Sequence, residues 1–212
     1  MRITKFGHAC VRIEHEGTTI VLDPGVFTDV AALDGADAVL ITHEHPDHYL
    51  PAHLQASDAP VFTIDAVAAK IRVDAPDVAE RLAVVAPGEE FQVGSIPVRA
   101  VGELHAVIHP ELPRFHNSGY LMMAGAEKVF HPGDALTGPG EEVDVLFLPV
   151  SAPWARAHEL VDFAREVKAP RNVAIHDRVY SDAGAGIFDT QINLFLPKEG
   201  LDYKRLKDGE DL

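Results

Sequence analysis

The sequence predicts a mixed α/β protein built as two halves, and three observations carry that prediction. Short β-like runs separated by turn signals dominate the first hundred residues. Stretches with apolar residues recurring at three and four positions interrupt those runs. After residue 118 the same alternation of strand-like and helix-like segments returns.

Taken in order, the first-half strands are "RITKF", "CVRIEH", "TIVLD", "AVLIT", "PVFT", "LAVV", "FQV" and "IPVRAV", with "HEGT" and "GEE" as turn signals. "TIDAVAAKIRV" and "PDVAERL" carry helical spacing. In the second half "GYLMMAG" and "EKVFH" form a hairpin, "VDVLFLPV" a fully buried strand, "AHELVDFAREVKA" an amphipathic helix and "NVAIH" a further strand. The polar tail "KRLKDGEDL" is expected to be loosely held. No long polar linker separates the halves, so residues 1–212 are expected to form a single domain.

Composition narrows the function. With 47% hydrophobic residues the 212-residue chain has the material for a sizeable core. A formal net charge of -15, with 18 Lys and Arg scattered along the chain, argues against a surface that tracks phosphates, so no nucleic-acid partner is expected. No apolar run is long enough to span a bilayer, and "MRITKFGHAC" lacks the apolar region of a secretory signal. The single cysteine, Cys10, excludes an internal disulfide and any CxxC motif and reads as a small buried hydrophobe. These features together predict a cytoplasmic protein without a membrane partner.

The chemistry is concentrated in "ITHEHPDH", residues 41–48. Four metal-capable side chains, His43, His45, Asp47 and His48, occupy six positions behind an apolar strand. A zinc-binding helix is ruled out, because Asp47 stands where the second histidine belongs and Pro46 would break the helix. In a loop leaving a strand, His43 and His45 project to one side while Asp47 and His48 turn toward a neighbouring position. One loop thereby seeds two metal sites. Imidazole with carboxylate suits Zn²⁺ first, with Mn²⁺ or Fe²⁺ as alternatives.

H-x-H-x-D-H after an apolar strand resembles the metallo-β-lactamase superfamily. The opening "MRITKFGHACVRIE", the following "TIVLDPG", the later "HPGD" and the terminal "AIHD" extend the likeness to its small bacterial and archaeal hydrolases, the ascorbate-phosphate lactonase-like group. The resemblance implies a four-layer αβ/βα sandwich with a dinuclear metal centre at one edge between the halves. It also implies a ligand set. His43 and His45 match two ligands of the first ion. His105 in "GELHAVIHPELPRFHNSGY" occupies the matching place for the third and is preferred over His109 and His116. Asp47, His48 and His176 match the second ion, and Asp134 matches the bridging carboxylate, with Gly133 permitting a tight turn beside it. His109 is either a loop residue or a lining of the pocket. His131 reads equally as support for a ligand or as a core histidine, and His116 as structural. The likeness places His8 and Asp23 near the cleft. Asp23 either orients a ligand imidazole or forms a turn before Pro24.

Two ions sharing a water would lower its pKa toward neutrality and polarise the substrate oxygen, which predicts a hydrolase cleaving an ester, lactone or phosphodiester in a small molecule. Asp47 and Asp134 are the residues closest to the chemistry in this reading, and two divalent ions per chain are its cofactors. The alternative is a metal-binding regulatory or binding protein of the same fold without turnover. No G-x-S-x-G elbow competes, and "GDALTGPG" has Pro-Gly where a phosphate-binding loop needs Lys-Ser/Thr. Ser151 and Trp154 are candidates to line the cleft, and Arg114, Arg156 and Arg178 are the cations nearest the loops in question.

Overall fold

The apolar runs become two mixed sheets in the computed structural model, which describes residues 1–212. In the first, β1 (Arg2–Lys5), β2 (Val11–His15) and β3 (Thr18–Leu22) are antiparallel. From β3 the sheet continues in parallel through β4 (Ala38–Ile41), β5 (Val61–Thr63) and β6 (Leu82–Val84). The second sheet repeats this plan. β7 (Glu90–Val93), β8 (Ile96–Val101), β9 (Gly119–Ala124) and β10 (Glu127–His131) are antiparallel, and β11 (Val145–Pro149), β12 (Arg171–Ile175) and β13 (Asp202–Lys204) extend from β10 in parallel.

Side-chain alternation assigns each sheet an inner and an outer face. Ile13, Ile20, Leu22 and Leu40 of the first sheet share one buried cluster with Val98, Tyr120, Phe147 and Val173 of the second. The sheets therefore face each other. The intervening residues point outward, where Val21, Val39 and Ile41 pack with Leu54 of α1 (Pro51–Gln55) and with Val67 and Ile71 of α2 (Asp65–Asp74). On the opposite side Leu146, Leu148 and Ala174 meet Leu160 and Phe163 of α3 (Ala157–Val167) and Phe188 and Ile192 of α4 (Asp182–Phe195). The four layers are those expected. β3, β4 and β11 are apolar on both faces because both faces are covered. Cys10 is fully buried.

Three local readings change. "PDVAERL" forms a 3-10 turn over Pro76–Arg81 rather than an α-helix, being too short to repeat its spacing. α4 has no counterpart in the sequence reading, since "DAGAG" at its start lacks an apolar period and is rich in glycine. The tail is held: β13 pairs with β12, and Asp211 accepts hydrogen bonds from Arg2 (2.9 Å) and Thr4 (2.5 Å). No helix is long and apolar enough to cross a membrane.

Candidate metal centre

Parallel strands β4 and β12 end at the same edge of the molecule, and the loops beyond them converge there, as at the carboxyl ends of other α/β sheets. Past Ile41 the chain turns on Pro46, whose carbonyl accepts from Val26 N (2.9 Å), while His45 O accepts from Tyr49 N (2.9 Å). This turn separates the loop's four donors. His43 and His45 gather with His105 and Asp134, and Asp47 and His48 gather with His8 and His176, the donor atoms of each group lying within 4.8 Å of one another.

Asp134 joins the two groups. Its Oδ1 lies 3.1 Å from His48 Nε2, and its Oδ2 lies 3.0 Å from His176 Nε2, 3.4 Å from His105 Nε2 and 3.9 Å from His43 Nε2. Asp47 Oδ2 stands 3.4 Å from His176 Nε2. Gly133, at φ +63°, makes the preceding turn, and a Cβ there would meet Asn117 Oδ1 at 2.3 Å and Thr42 Cβ at 2.7 Å. Asn117 Oδ1 in turn accepts from Asp134 N at 3.0 Å.

Hydrogen bonding on the far side of each ring assigns its tautomer. His48 Nδ1 donates to Asp23 Oδ2 (2.7 Å), His105 Nδ1 to the Ala106 carbonyl (2.7 Å) and His176 Nδ1 to the Ser151 carbonyl (2.9 Å). Thr42 Oγ1 donates to Asp23 Oδ2 (2.7 Å) and therefore accepts from His43 Nδ1 (3.0 Å). In the neutral ring each of the four leaves Nε2 as its free nitrogen on the side of Asp134, His43 Nε2 also lying 3.0 Å from His45 Nδ1. His48 Nε2, His105 Nε2 and Asp134 Oδ1 are buried yet lack a hydrogen-bond partner. Converging lone pairs without donors fit a cation.

His8 plays a different part. Its Nδ1 accepts from Arg178 N (3.1 Å), so its Nε2 carries the proton and donates to Asp47 Oδ2 (3.1 Å). It holds a carboxylate. Asp23, fully buried at φ +46°, accepts from Thr42 N (2.8 Å), Thr42 Oγ1 and His48 Nδ1, and so orients a ring as well as forming a turn. His131 is buried with both ring nitrogens engaged by backbone, Nε2 with Ala9 O (2.9 Å) and Nδ1 with Gly133 N (3.1 Å) in the turn before Asp134.

Electrostatics agree with a cation-seeking cluster. Burial pushes His43 well below the ordinary imidazole value, lowers His45, and brings His8 down to about 4. Burial also opposes charge on His48 and His176, but Asp134 outweighs it at both, with Asp23 assisting at His48 and Asp47 at His176. His48 is raised well above the usual value and His176 to about 9. Asp134 resists ionisation through burial, yet His48 and His176 hold it far below the carboxylate range, and hydrogen bonds from His176 and His8 do the same for Asp47. The ionised acids thus hold protons on His48 and His176, positive charge in the place that a bound metal ion would take.

The remaining candidates lie farther out. His109 and His116 are exposed. Ser151 Oγ is buried and donates to the His176 carbonyl at 2.5 Å. Trp154 Nε1 donates to Asp134 Oδ2 at 3.0 Å, a contact that no local sequence signal announces. Arg114 donates to the His105 carbonyl (2.7 Å), and Arg178 pairs with Asp208. His105→Ala is expected to lose metal and abolish activity, whereas His109→Ala should keep its metal content and alter turnover at most. Elemental analysis of both variants checks this, and loss of metal from the His109 variant alone would reverse the assignment.

Two facing mixed sheets, covered by helices and carrying a His/Asp cluster beyond their parallel strands, define the metallo-β-lactamase class of fold. The family model for the Beta-lactamase superfamily domain matches residues 2–176, and the chain belongs to that superfamily. Protein Rv0786c of Mycobacterium tuberculosis is 39% identical over 194 residues, covering 89% of each chain. A relative from Anoxybacillus flavithermus, described as a UPF0173 metal-dependent hydrolase, is 26% identical over 83% of this chain and 85% of its own. Among solved structures, a candidate metal-dependent hydrolase from Parabacteroides distasonis superposes with a TM-score of 0.78 at 24% identity, covering 97% of this chain and 92% of that one. The metallo-β-lactamase fold protein YhfI of Bacillus subtilis gives 0.76 at 14% identity, covering 100% and 98%.

Proposed function

We propose that this chain is a metal-dependent hydrolase with a dinuclear centre, in which His43, His45 and His105 hold one divalent ion, Asp47, His48 and His176 the other, and Asp134 both. The observation that carries this reading is the set of four Nε2 lone pairs directed at one buried carboxylate, each fixed by a hydrogen bond behind its ring. Five imidazoles and two carboxylates suit Zn²⁺, with Mn²⁺ or Fe²⁺ also compatible. Superfamily membership and the relatives described as metal-dependent hydrolases support it.

Two such ions, when bound, supply an activated water near neutral pH and polarise the oxygen of the bond to be cleaved. The protein supplies the rest. Asp23, Thr42, Ser151 and the Ala106 carbonyl keep the rings from rotating, which preserves the separation of the two donor groups. His8 holds Asp47 through Oδ2, the oxygen that faces His176. Trp154 donates to Asp134 Oδ2 and presents an aromatic wall 5.7 Å from the His105 ring and 6.0 Å from that of His176. A lone buried cysteine suits the reducing cytoplasm.

Protein reloaded with Zn²⁺ should contain about two equivalents per chain and hydrolyse a member of a panel of esters, lactones, thioesters and phosphodiesters. Uptake of only one equivalent overturns the dinuclear reading. Two ions with no turnover across the panel favour a metal-holding binding protein instead.

A further inference from the structure

Lys5 ends β1 with its side chain completely buried, although no part of the proposed chemistry uses it. Its Nζ lies 3.0 Å from Oδ2 of Asp177, which is 8% exposed and immediately follows His176. Burying a lysine is costly even when it is paired, and an apolar residue of the same volume commonly serves stability as well or better. The location of the pair suggests another use. His176 has a left-handed backbone, φ +52°, which a non-glycine residue holds only when its surroundings enforce it.

Residues 176–178 are clasped against residues 5–8 at three points. Besides the ion pair, His176 N donates to His8 O (2.8 Å) and Arg178 N donates to His8 Nδ1 (3.1 Å). The second of these contacts also sets the His8 ring that holds Asp47. The clasp therefore governs two donors of one group, His176 directly and Asp47 through His8. It touches none of His43, His45 and His105.

We propose that the buried Lys5–Asp177 pair is a positioning device for the second metal site, locking the 176–178 turn onto the end of β1 so that His176 and Asp47 converge on Asp134. This rests on the two-ion reading above. Asp177 Oδ2 also lies 3.7 Å from Arg205 Nη1, whereas Lys5 has no other acid beside it, so changing Asp177 alone would leave a bare buried ammonium, and the test uses the double variant Lys5→Met/Asp177→Asn beside the wild type. Both are titrated with Co²⁺, followed by calorimetry, chelator competition and the visible absorption of the bound ion. In the double variant the first equivalent should bind as in the wild type, while the second weakens by about 10- to 100-fold, the usual consequence of removing support from behind a ligand. The thermal midpoint reports folding separately. If the double variant binds both equivalents with wild-type affinity and spectrum, the pair is only a strut between the sheets and the proposal falls. A wild type that takes up a single equivalent overturns the two-ion reading itself, and this assignment with it.

Discussion

Asp134→Asn is expected to weaken binding of the second metal and to reduce turnover by at least about a hundredfold, equivalent to roughly 2.7 kcal/mol of barrier. The substitution keeps the side-chain volume, and the backbone bond from Asp134 N to Asn117 Oδ1 does not depend on the carboxylate, so folding should be largely preserved. What changes is charge. Asp134 is 2% exposed and is the only acid within 4 Å of His43, His48, His105 and His176 together. A neutral amide is a poor bridging donor and no longer offsets two neighbouring cations. Calorimetric metal titration beside a rate assay decides it. Two-metal binding and near-normal turnover in the variant would reduce Asp134 to a turn residue.

The strands were legible because burial on one or both faces leaves a short-range pattern, as in "AVLIT" and "VDVLFLPV". "HEHPDH" was legible for a related reason: four donors in one loop need no knowledge of the tertiary fold. Everything depending on which loops meet was hidden. Nothing local to "RITKF" announces the ion pair of Lys5, whose partner lies 172 positions away. Trp154 reaches Asp134 across 20 residues. His8 stood near the cleft by resemblance, but whether it faces an ion or a carboxylate turns on a bond from Arg178 N. The tail looked loose because its anchors, Arg2 and Thr4, lie more than 200 positions upstream. α4 was obscured by glycines whose weak helix propensity is overridden by packing of Phe188 and Ile192 against the second sheet.

The second large effect is expected from a residue without a side chain. Gly25→Ala should lower metal content at both sites and destabilise the protein by about 1–3 kcal/mol or more, the range for forcing extra volume into a packed interior. A Cβ at Gly25 would lie 2.0 Å from the Asp47 carbonyl oxygen, 2.1 Å from its carbon and 2.5 Å from His48 N. These are backbone atoms of the ligand loop, so no side chain can swing aside to relieve the clash. The loop must move, and it is pinned nearby by Val26 N to Pro46 O (2.9 Å) and by His48 Nδ1 to Asp23 (2.7 Å). Displacing Asp47 and His48 by the ångström or more required separates their donors from His176 and Asp134, and strain passed along the loop reaches His45. Gly186→Ala is the control. It lies in α4, where an added Cβ meets nothing within 4 Å, and alanine there should be neutral or stabilising by up to about 1 kcal/mol. Metal analysis and thermal melts of the two variants side by side test the argument. A Gly25→Ala protein that retains both metals and melts with the wild type would mean that this close backbone approach does not set the positions of the donors.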